Sequence, residues 1–310
     1  MLEILSYWSQ VTASLWYGPE KQTTENAEAN ILIKKLLHIY AQLAARTDLR
    51  PCSEVNSLFS ELVEVCTQTV SDRVTNLVLE NPRIREIRVE FRRLCSQAEC
   101  HLESYWSDRI AGDATSTEKE VSARLSEFPY FSNYVDLTRM ELSAMCSAEQ
   151  KPVKKIAFIG SGPLPLTSLC LTGTLSDRPS EINVLNIDNN AQAISESTCL
   201  YKRLGTKARG MEFKCGEAQS ALDLGEFDAV YLAALVGSTQ EEKEALLEQV
   251  TSRMRPGALL MIRSADRLRR LMYADFDPTT ERVSKVLDVV LAVHPYNHIV
   301  NSIIIGKIKQ

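Results

Sequence analysis

The sequence predicts an all-helical domain over residues 1–150 and, over 151–310, an α/β domain whose doubly wound sheet ends in an antiparallel strand. Three observations predict this. Of the 12 glycines only Gly18 and Gly112 fall before residue 150, and glycine-poor sequence with an apolar period of 3.6 is helical. From residue 156 onward, apolar runs of strand length alternate with helical patterns, the rhythm of βαβ units. The last two runs are separated only by Pro295-Tyr-Asn-His298, too short a link for a parallel crossover, so they pair as a hairpin. A chain of 310 residues also exceeds one typical domain.

In the helical half a first helix covers roughly residues 25–46. Leu49-Arg-Pro-Cys-Ser53 breaks it, and Ser53 is placed to cap a helix running to about Thr69. The clearest helix follows Asn81-Pro82, where Ile84, Ile87, Phe91, Leu94, Ala98 and Leu102 recur at intervals of three and four along one buried stripe. Gly112 to Thr117 is a loop, Phe128-Pro-Tyr130 a turn, and Tyr134 to Cys146 a further helix. Ala148 to Lys155 is polar, contains a proline and suits a linker between domains. Expected strands are 156–159, 182–187, 211–215, 228–234, 258–263, 287–293 and 299–308, with helices at 164–172, 190–204 and 239–254. A parallel sheet finished by an antiparallel last strand is the arrangement of S-adenosylmethionine-dependent transferases, and is less expected of a nicotinamide dehydrogenase.

Composition narrows the function classes. The hydrophobic share of 45% suits a globular protein, while a net charge of -5 without a basic stripe argues against a nucleic-acid partner. Arginines between Arg83 and Arg93 alternate with acidic and apolar residues, as on a solvated helix face. The cysteines at 52, 66, 95, 100, 146, 170, 199 and 215 form no Cys-x-x-Cys, and His38, His101, His294 and His298 show no zinc-ligand spacing. No metal site is therefore expected, and reduced core thiols fit a cytoplasmic protein. The N-terminal MLEILSYWSQV lacks a basic leader region, and no stretch reaches transmembrane length, so no membrane partner is expected. Oligomeric state is not set by any of this.

The most informative stretch is Ile156-Ala-Phe-Ile-Gly-Ser-Gly-Pro-Leu-Pro-Leu-Thr167, a strand running into a glycine turn and then a helical pattern. Gly160 and Gly162 can take φ > 0 and admit a ligand to the backbone, where helix N–H groups point at it. A dinucleotide fingerprint has glycine at its sixth position; this chain has Pro165, at ease in a first helical turn. The stretch fits an adenosine-type ligand, or else a tight turn in an ordinary α/β protein. Asp188 ends the second strand, where a carboxylate accepts both ribose hydroxyls or caps the next helix. Gly216-Glu217-Ala218 ends the third strand, in position to grip an adenine, and Leu232-Ala233-Ala-Leu-Val-Gly237 ends the fourth. All these sites share the carboxyl edge of the sheet, and jointly they favour an adenosine ligand.

Glu99 borders the buried stripe, flanked by Cys95 and Leu102. It either faces solvent, the commoner outcome for a glutamate, or is partly buried with a pKa raised into the range of a base. Phe128-Pro-Tyr-Phe-Ser-Asn-Tyr134, taken alone, reads as a packing plug between domains. Arg263 ends the fifth strand beside Ser264, and either holds a carboxylate by a forked pair or makes a surface ion pair. His294 and His298 read as exposed turn histidines.

These residues together resemble the nicotianamine synthase family. The matching segments are Leu49-Arg-Pro-Cys-Ser-Glu-Val-Asn-Ser-Leu-Phe59, Leu94-Cys-Ser-Gln-Ala-Glu99 with Leu102-Glu103, and Phe128-Pro-Tyr-Phe-Ser-Asn-Tyr134. Phe158-Ile-Gly-Ser-Gly-Pro-Leu-Pro-Leu-Thr167, Leu232-Ala-Ala-Leu-Val-Gly237, Arg263-Ser-Ala and Val300-Asn-Ser-Ile-Ile304 follow in order. The resemblance implies condensation of three S-adenosylmethionine molecules, as substrate, through their 3-amino-3-carboxypropyl groups, with no metal required. The products are nicotianamine, a metal chelator, and three methylthioadenosines; archaeal relatives stop at a related product. Such chemistry needs an unprotonated amine, an inward-aimed arm and a closed chamber, here a helical lid over the sheet. By the resemblance, Glu99 is the catalytic carboxylate, assisted by Tyr134 or Tyr130. Gly160, Ser161, Gly162, Pro163, Asp188, Asn189, Gly216, Glu217, Ala218 and Ala233 hold the adenosine, and Arg263 a substrate carboxylate. Asp266-Arg267 stands where the plant pattern has His-Gly, and Phe131 replaces the second of two adjacent tyrosines. The competing readings on the same fold are a methyltransferase, which leaves the helical half without a chemical duty, and a non-catalytic S-adenosylmethionine-binding protein.

Overall fold

The computed structural model describes residues 19–175, 180–205, 208–218 and 223–309; the N-terminal stretch read above for a leader, and Gly18, lie outside these. Among the described residues six helices come first: α1 (Pro19–Ala44), α2 (Ser53–Thr67), α3 (Asp72–Leu79), α4 (Pro82–Ala111), α5 (Glu118–Leu125) and α6 (Phe131–Ala148). α2 starts one residue earlier than Ser53 as cap would require: Cys52 is the N-cap, without a side-chain bond, and Ser53 is already helical. α3 and α5 were not expected, being too short to display a period. Their start signals are nevertheless present, since the Ser71 side chain accepts from Val74 N–H and Thr117 with Glu120 forms a capping box. α4 opens on Pro82 and buries Ile84, Phe91, Leu94, Cys95 and Ala98, while Ile87 and Leu102 are only half-buried.

The second half forms one seven-stranded sheet of β1 (Lys155–Ile159), β2 (Asn183–Asp188), β3 (Met211–Cys215), β4 (Ala229–Leu232), β5 (Leu259–Ser264), β6 (Leu287–Val293) and β7 (Ser302–Ile308). The order is β3-β2-β1-β4-β5-β7-β6, with β7 antiparallel to both neighbours. Between strands lie α7 (Leu166–Leu171), α8 (Ala191–Arg203), α9 (Gln240–Thr251) and α10 (Glu281–Val286), and a 3-10 turn spans Arg267–Leu271. β7 begins later than expected because carbonyls just before it are taken by side chains. Arg269 donates to Ile299 O (2.9 Å) and Asn297 O (2.5 Å), and Asn133 donates to His298 O (2.7 Å). α7 is also shorter than expected, since Pro165 (φ -80, ψ 51) is its non-helical N-cap.

The two halves share cores. α6 buries Ala144, Met145 and Ala148 against Ile156, Phe158 and Tyr231 of the sheet. Leu268, Leu271 and Met272, from beyond β5, complete the core of α1–α4. Ile110, Val121 and Phe128 pack on Leu164, Leu169 and Leu200, which draws the helices over the carboxyl edge of the sheet. Arg267 occupies a left-handed conformation (φ 53), uncommon for a residue with a long side chain. Its guanidinium is tied to Val70 O (2.9 Å) and Asp72 (2.7 Å), contacts that hold the strained backbone. Among the described residues no helix is long and apolar enough to cross a membrane.

Candidate active site

The glycine turn after β1 is built as its sequence requires. Gly160 and Gly162 have φ of 80 and 67, and a Cβ on Gly160 would lie 2.5 Å from Val236 Cγ2. A Cβ on Gly162 would lie 2.7 Å from Glu103 Oε2, so α4 of the helical half presses a carboxylate against this turn. Asp188 Oδ2 accepts from Gly162 N–H and Oδ1 from Asn190 N–H, both at 2.9 Å. Of the two roles open to Asp188, helix capping belongs instead to Asn190, whose side chain accepts from Gln192 and Ala193. Asn189 Nδ2 donates to Glu217 Oε2 at 3.4 Å, joining the ends of β2 and β3.

These elements wall a cavity of about 640 Å³, within the range of small-molecule sites. It is lined by Gly160, Ser161, Gly162, Pro163, Asp188, Asn189, Gly216, Glu217, Ala218, Ala233 and Arg263, together with Glu99, Glu103 and Tyr134. Tyr130 is elsewhere. It lines a second, more apolar cavity of about 170 Å³ with Asn56, Phe59, Ser60 and Tyr273. Glu99, Glu103, Tyr134 and Asn301 belong to both cavities and form their common wall.

Glu99 and Glu103 lie one helical turn apart on α4 and face the cavities rather than bulk water. Each has its own tyrosine: Tyr273 O–H donates to Glu99 Oε2 at 2.9 Å, and Tyr134 O–H donates to Glu103 Oε1 at 2.6 Å. Burial and then the charge of Glu99 push Glu103 up to about 8, against the opposing bond from Tyr134. Burial also raises Glu99, opposed by Tyr273 and Arg263. Both tyrosines are held well above their ordinary range, by burial and then by the carboxylates, and so serve as neutral donors. Two close carboxylates in such surroundings share fewer than two charges at neutral pH, which leaves one ready to take a proton.

Arg263 does not make a surface ion pair. Its Nε and Nη2 donate to the buried Glu141 at 2.7 and 3.0 Å, Nη2 also reaches Thr167 Oγ1 at 2.8 Å, and the guanidinium lies 5.3 Å from the Phe158 ring centroid. Burial disfavours its charge, and Glu141 more than offsets that. The fork is therefore committed to Glu141, although the side chain still borders the larger cavity. His294 and His298 are exposed, bonded to Ser302 and Asp136. All eight cysteines are free thiols, but only Cys66 and Cys95 are buried; Cys52, Cys100, Cys146, Cys199 and Cys215 are exposed, so the expected core thiols are mostly surface ones. Among the described residues no cluster of three or more His, Cys, Asp or Glu could hold a metal ion. Sequence reasoning gave no role to Glu103, Glu141, Tyr273 or Asn301. Two of them carried a signal: Glu103 in its i+4 spacing from Glu99, and Asn301 in its place within the matching segment Val300 to Ile304.

A sheet of this order, with its cavity at the carboxyl edge behind a glycine turn, defines the fold of the S-adenosylmethionine-dependent transferases. MtNAS shares it: a point mutant in complex with S-adenosylmethionine superposes with a TM-score of 0.73 at 17% identity, covering 90% of this chain and 98% of that one. MtNAS in complex with MTA and tNA superposes at 0.72. The family model of nicotianamine synthase protein matches residues 24–310, and the chain belongs to the nicotianamine synthase family. It is 34% identical to nicotianamine synthase 9 of Hordeum vulgare over 283 residues, 90% of this chain and 79% of that protein. Nicotianamine synthase 1 of Arabidopsis thaliana is 32% identical over 280 residues, 90% and 84% of the two chains.

Proposed function

We infer that this chain is a nicotianamine synthase, an aminocarboxypropyl transferase that uses S-adenosylmethionine as its substrate. The observation that carries the reading is the pair of tyrosine-bonded carboxylates on α4 facing a nucleoside-sized cavity. In each transfer an amine nitrogen attacks the γ-carbon beside the sulfonium, the C–S bond breaks toward sulfur, and methylthioadenosine leaves. The amine's proton passes to a carboxylate. Glu103, against the glycine turn and poised near 8, takes that role, with Tyr134 fixing its orientation. Glu99, in the same common wall and fixed by Tyr273, receives the amine, and Tyr130 lines the smaller cavity beside it.

The glycine turn, Asp188, Asn189, the Gly216 to Ala218 turn and Ala233 hold the adenosine, with Asp188 orienting the turn through Gly162 N–H while presenting its carboxylate to the cavity. Residues up to 150 act as a lid that keeps water from the reacting sulfonium. A net charge of -5 supports small molecules rather than nucleic acid as partners, and free cysteines support a cytosolic location. Incubation of the purified protein with S-adenosylmethionine alone, followed by mass spectrometry, tests the reading. Nicotianamine with a threefold excess of methylthioadenosine is expected; S-adenosylhomocysteine, or unchanged substrate, would overturn it.

A further inference from the structure

Each aminocarboxypropyl arm brings a carboxylate as well as an amine, and the cavities are rich in acid. Glu99, Glu103, Asp188, Glu217 and Glu242 line them, whereas Arg263 is the sole cationic side chain there among the described residues, and its fork is held by Glu141. A second guanidinium in this space would be captured by Glu99 and Glu103 and would take away the base. A neutral amide donor avoids that conflict, because it bonds an anion without forming an ion pair with the catalytic carboxylates.

Asn301 is such a donor. It stands immediately before β7, whose antiparallel register sets Ser302 opposite Ser264 and Ile303 opposite Arg263, so the sheet places Asn301 at the carboxyl edge beside the arginine's strand. It is 5% exposed, lines both cavities, and its Nδ2 finds no hydrogen-bond partner among the described residues. Ser161 Oγ, in the glycine turn of the same larger cavity, is likewise buried and unpartnered. A buried polar group without a partner is destabilising where a small apolar residue would fit, so its presence at a cavity junction calls for a ligand.

We propose that Asn301 is a specificity-determining residue, which donates from its side-chain amide to the carboxylate of the aminocarboxypropyl arm next to Arg263. The assignment rests on the synthase reading above and adds to it the group that tells a carboxylated arm from a decarboxylated one. S-adenosylhomocysteine carries the whole arm but no sulfonium, so it binds without transferring, and its decarboxylated counterpart differs only at the carboxylate. Isothermal titration of both ligands into wild type, Asn301→Ala and Asn301→Asp separates the possibilities. Asn301→Ala is expected to weaken S-adenosylhomocysteine by about 10- to 100-fold and to leave the decarboxylated ligand unchanged. Asn301→Asp, which keeps the shape, is expected to weaken the carboxylated ligand further by like-charge repulsion. The decarboxylated ligand reports whether each variant has kept its fold. Equal weakening of both ligands, or of neither, would overturn the role of Asn301. A wild type that binds neither ligand would overturn the synthase reading, and this assignment with it.

Discussion

Replacing Glu103 by glutamine probes the base and its surroundings together. Its carboxyl is raised from an ordinary 4.5 to about 8, so the folded protein binds this proton more tightly than the unfolded chain does. The resulting stabilisation is whole below about pH 4.5 and is lost as pH rises through about 8. That gap sets a ceiling of roughly 5 kcal/mol, and sharing of charge with Glu99 brings the expected value to about 2–3 kcal/mol. Glutamine accepts the same bond from Tyr134 and cannot ionise. Thermal unfolding of both proteins between pH 5 and 9 should therefore show the variant gaining about 3–5 °C on wild type as pH rises. Condensation should fall by about 10²- to 10⁴-fold, and the rise in wild-type rate through about pH 8 should vanish. Unfolding curves that stay parallel across this range would show that Glu103 ionises normally, and undiminished condensation would place the base elsewhere.

Other perturbations follow from the same geometry. Gly162→Ala adds a Cβ 2.7 Å from Glu103 Oε2 at a left-handed φ and should abolish S-adenosylhomocysteine binding by titration; Gly257→Ala, where nothing lies within 4 Å, should bear only the backbone cost of about 1–2 kcal/mol. Glu141→Gln strands the buried Arg263 and should lower stability by about 3–5 kcal/mol in a denaturant titration, with much of the loss recovered in the double variant Glu141→Gln, Arg263→Met. Tyr273→Phe removes the bond that opposes the raised pKa of Glu99, so the Glu99–Glu103 pair should release its last proton, and show the ascending limb of the rate profile, at higher pH; an unmoved limb would separate Glu99 from the titration.

How much of this was legible in the sequence depended on whether the signal was local. Apolar runs and the short link before β7 gave the sheet, and strand ends gave Gly160, Gly162 and Asp188 together, because a parallel sheet gathers its carboxyl ends on one edge. α3 and α5 escaped since eight residues show barely two turns of period. The site's polar wiring escaped for a different reason. Tyr273 reaches Glu99 across 174 residues and Glu141 reaches Arg263 across 122, partnerships that only tertiary folding creates. Arg263 was visible as an arginine at a strand end; that its fork was already occupied was not. Asn301 was quoted as part of a matching segment, yet only burial without a partner distinguishes it from any other asparagine before a strand.

The entry of Leu268, Leu271 and Met272 into the core of the first helices has a consequence for how the protein is made. On the ribosome, α1 to α4 emerge early, but the residues that finish their core are translated only after β5. Until then the nascent helical bundle must carry an uncovered apolar groove, a state prone to aggregation and suited to chaperone capture. Closing that groove also brings Tyr273 to Glu99, so the step that completes the bundle is the one that assembles the chemistry. A truncated chain ending before β1 would thus lack more than the sheet. It would be a bundle missing part of its own interior, and an enzyme cut in two there and mixed again would have to refold across the break rather than dock.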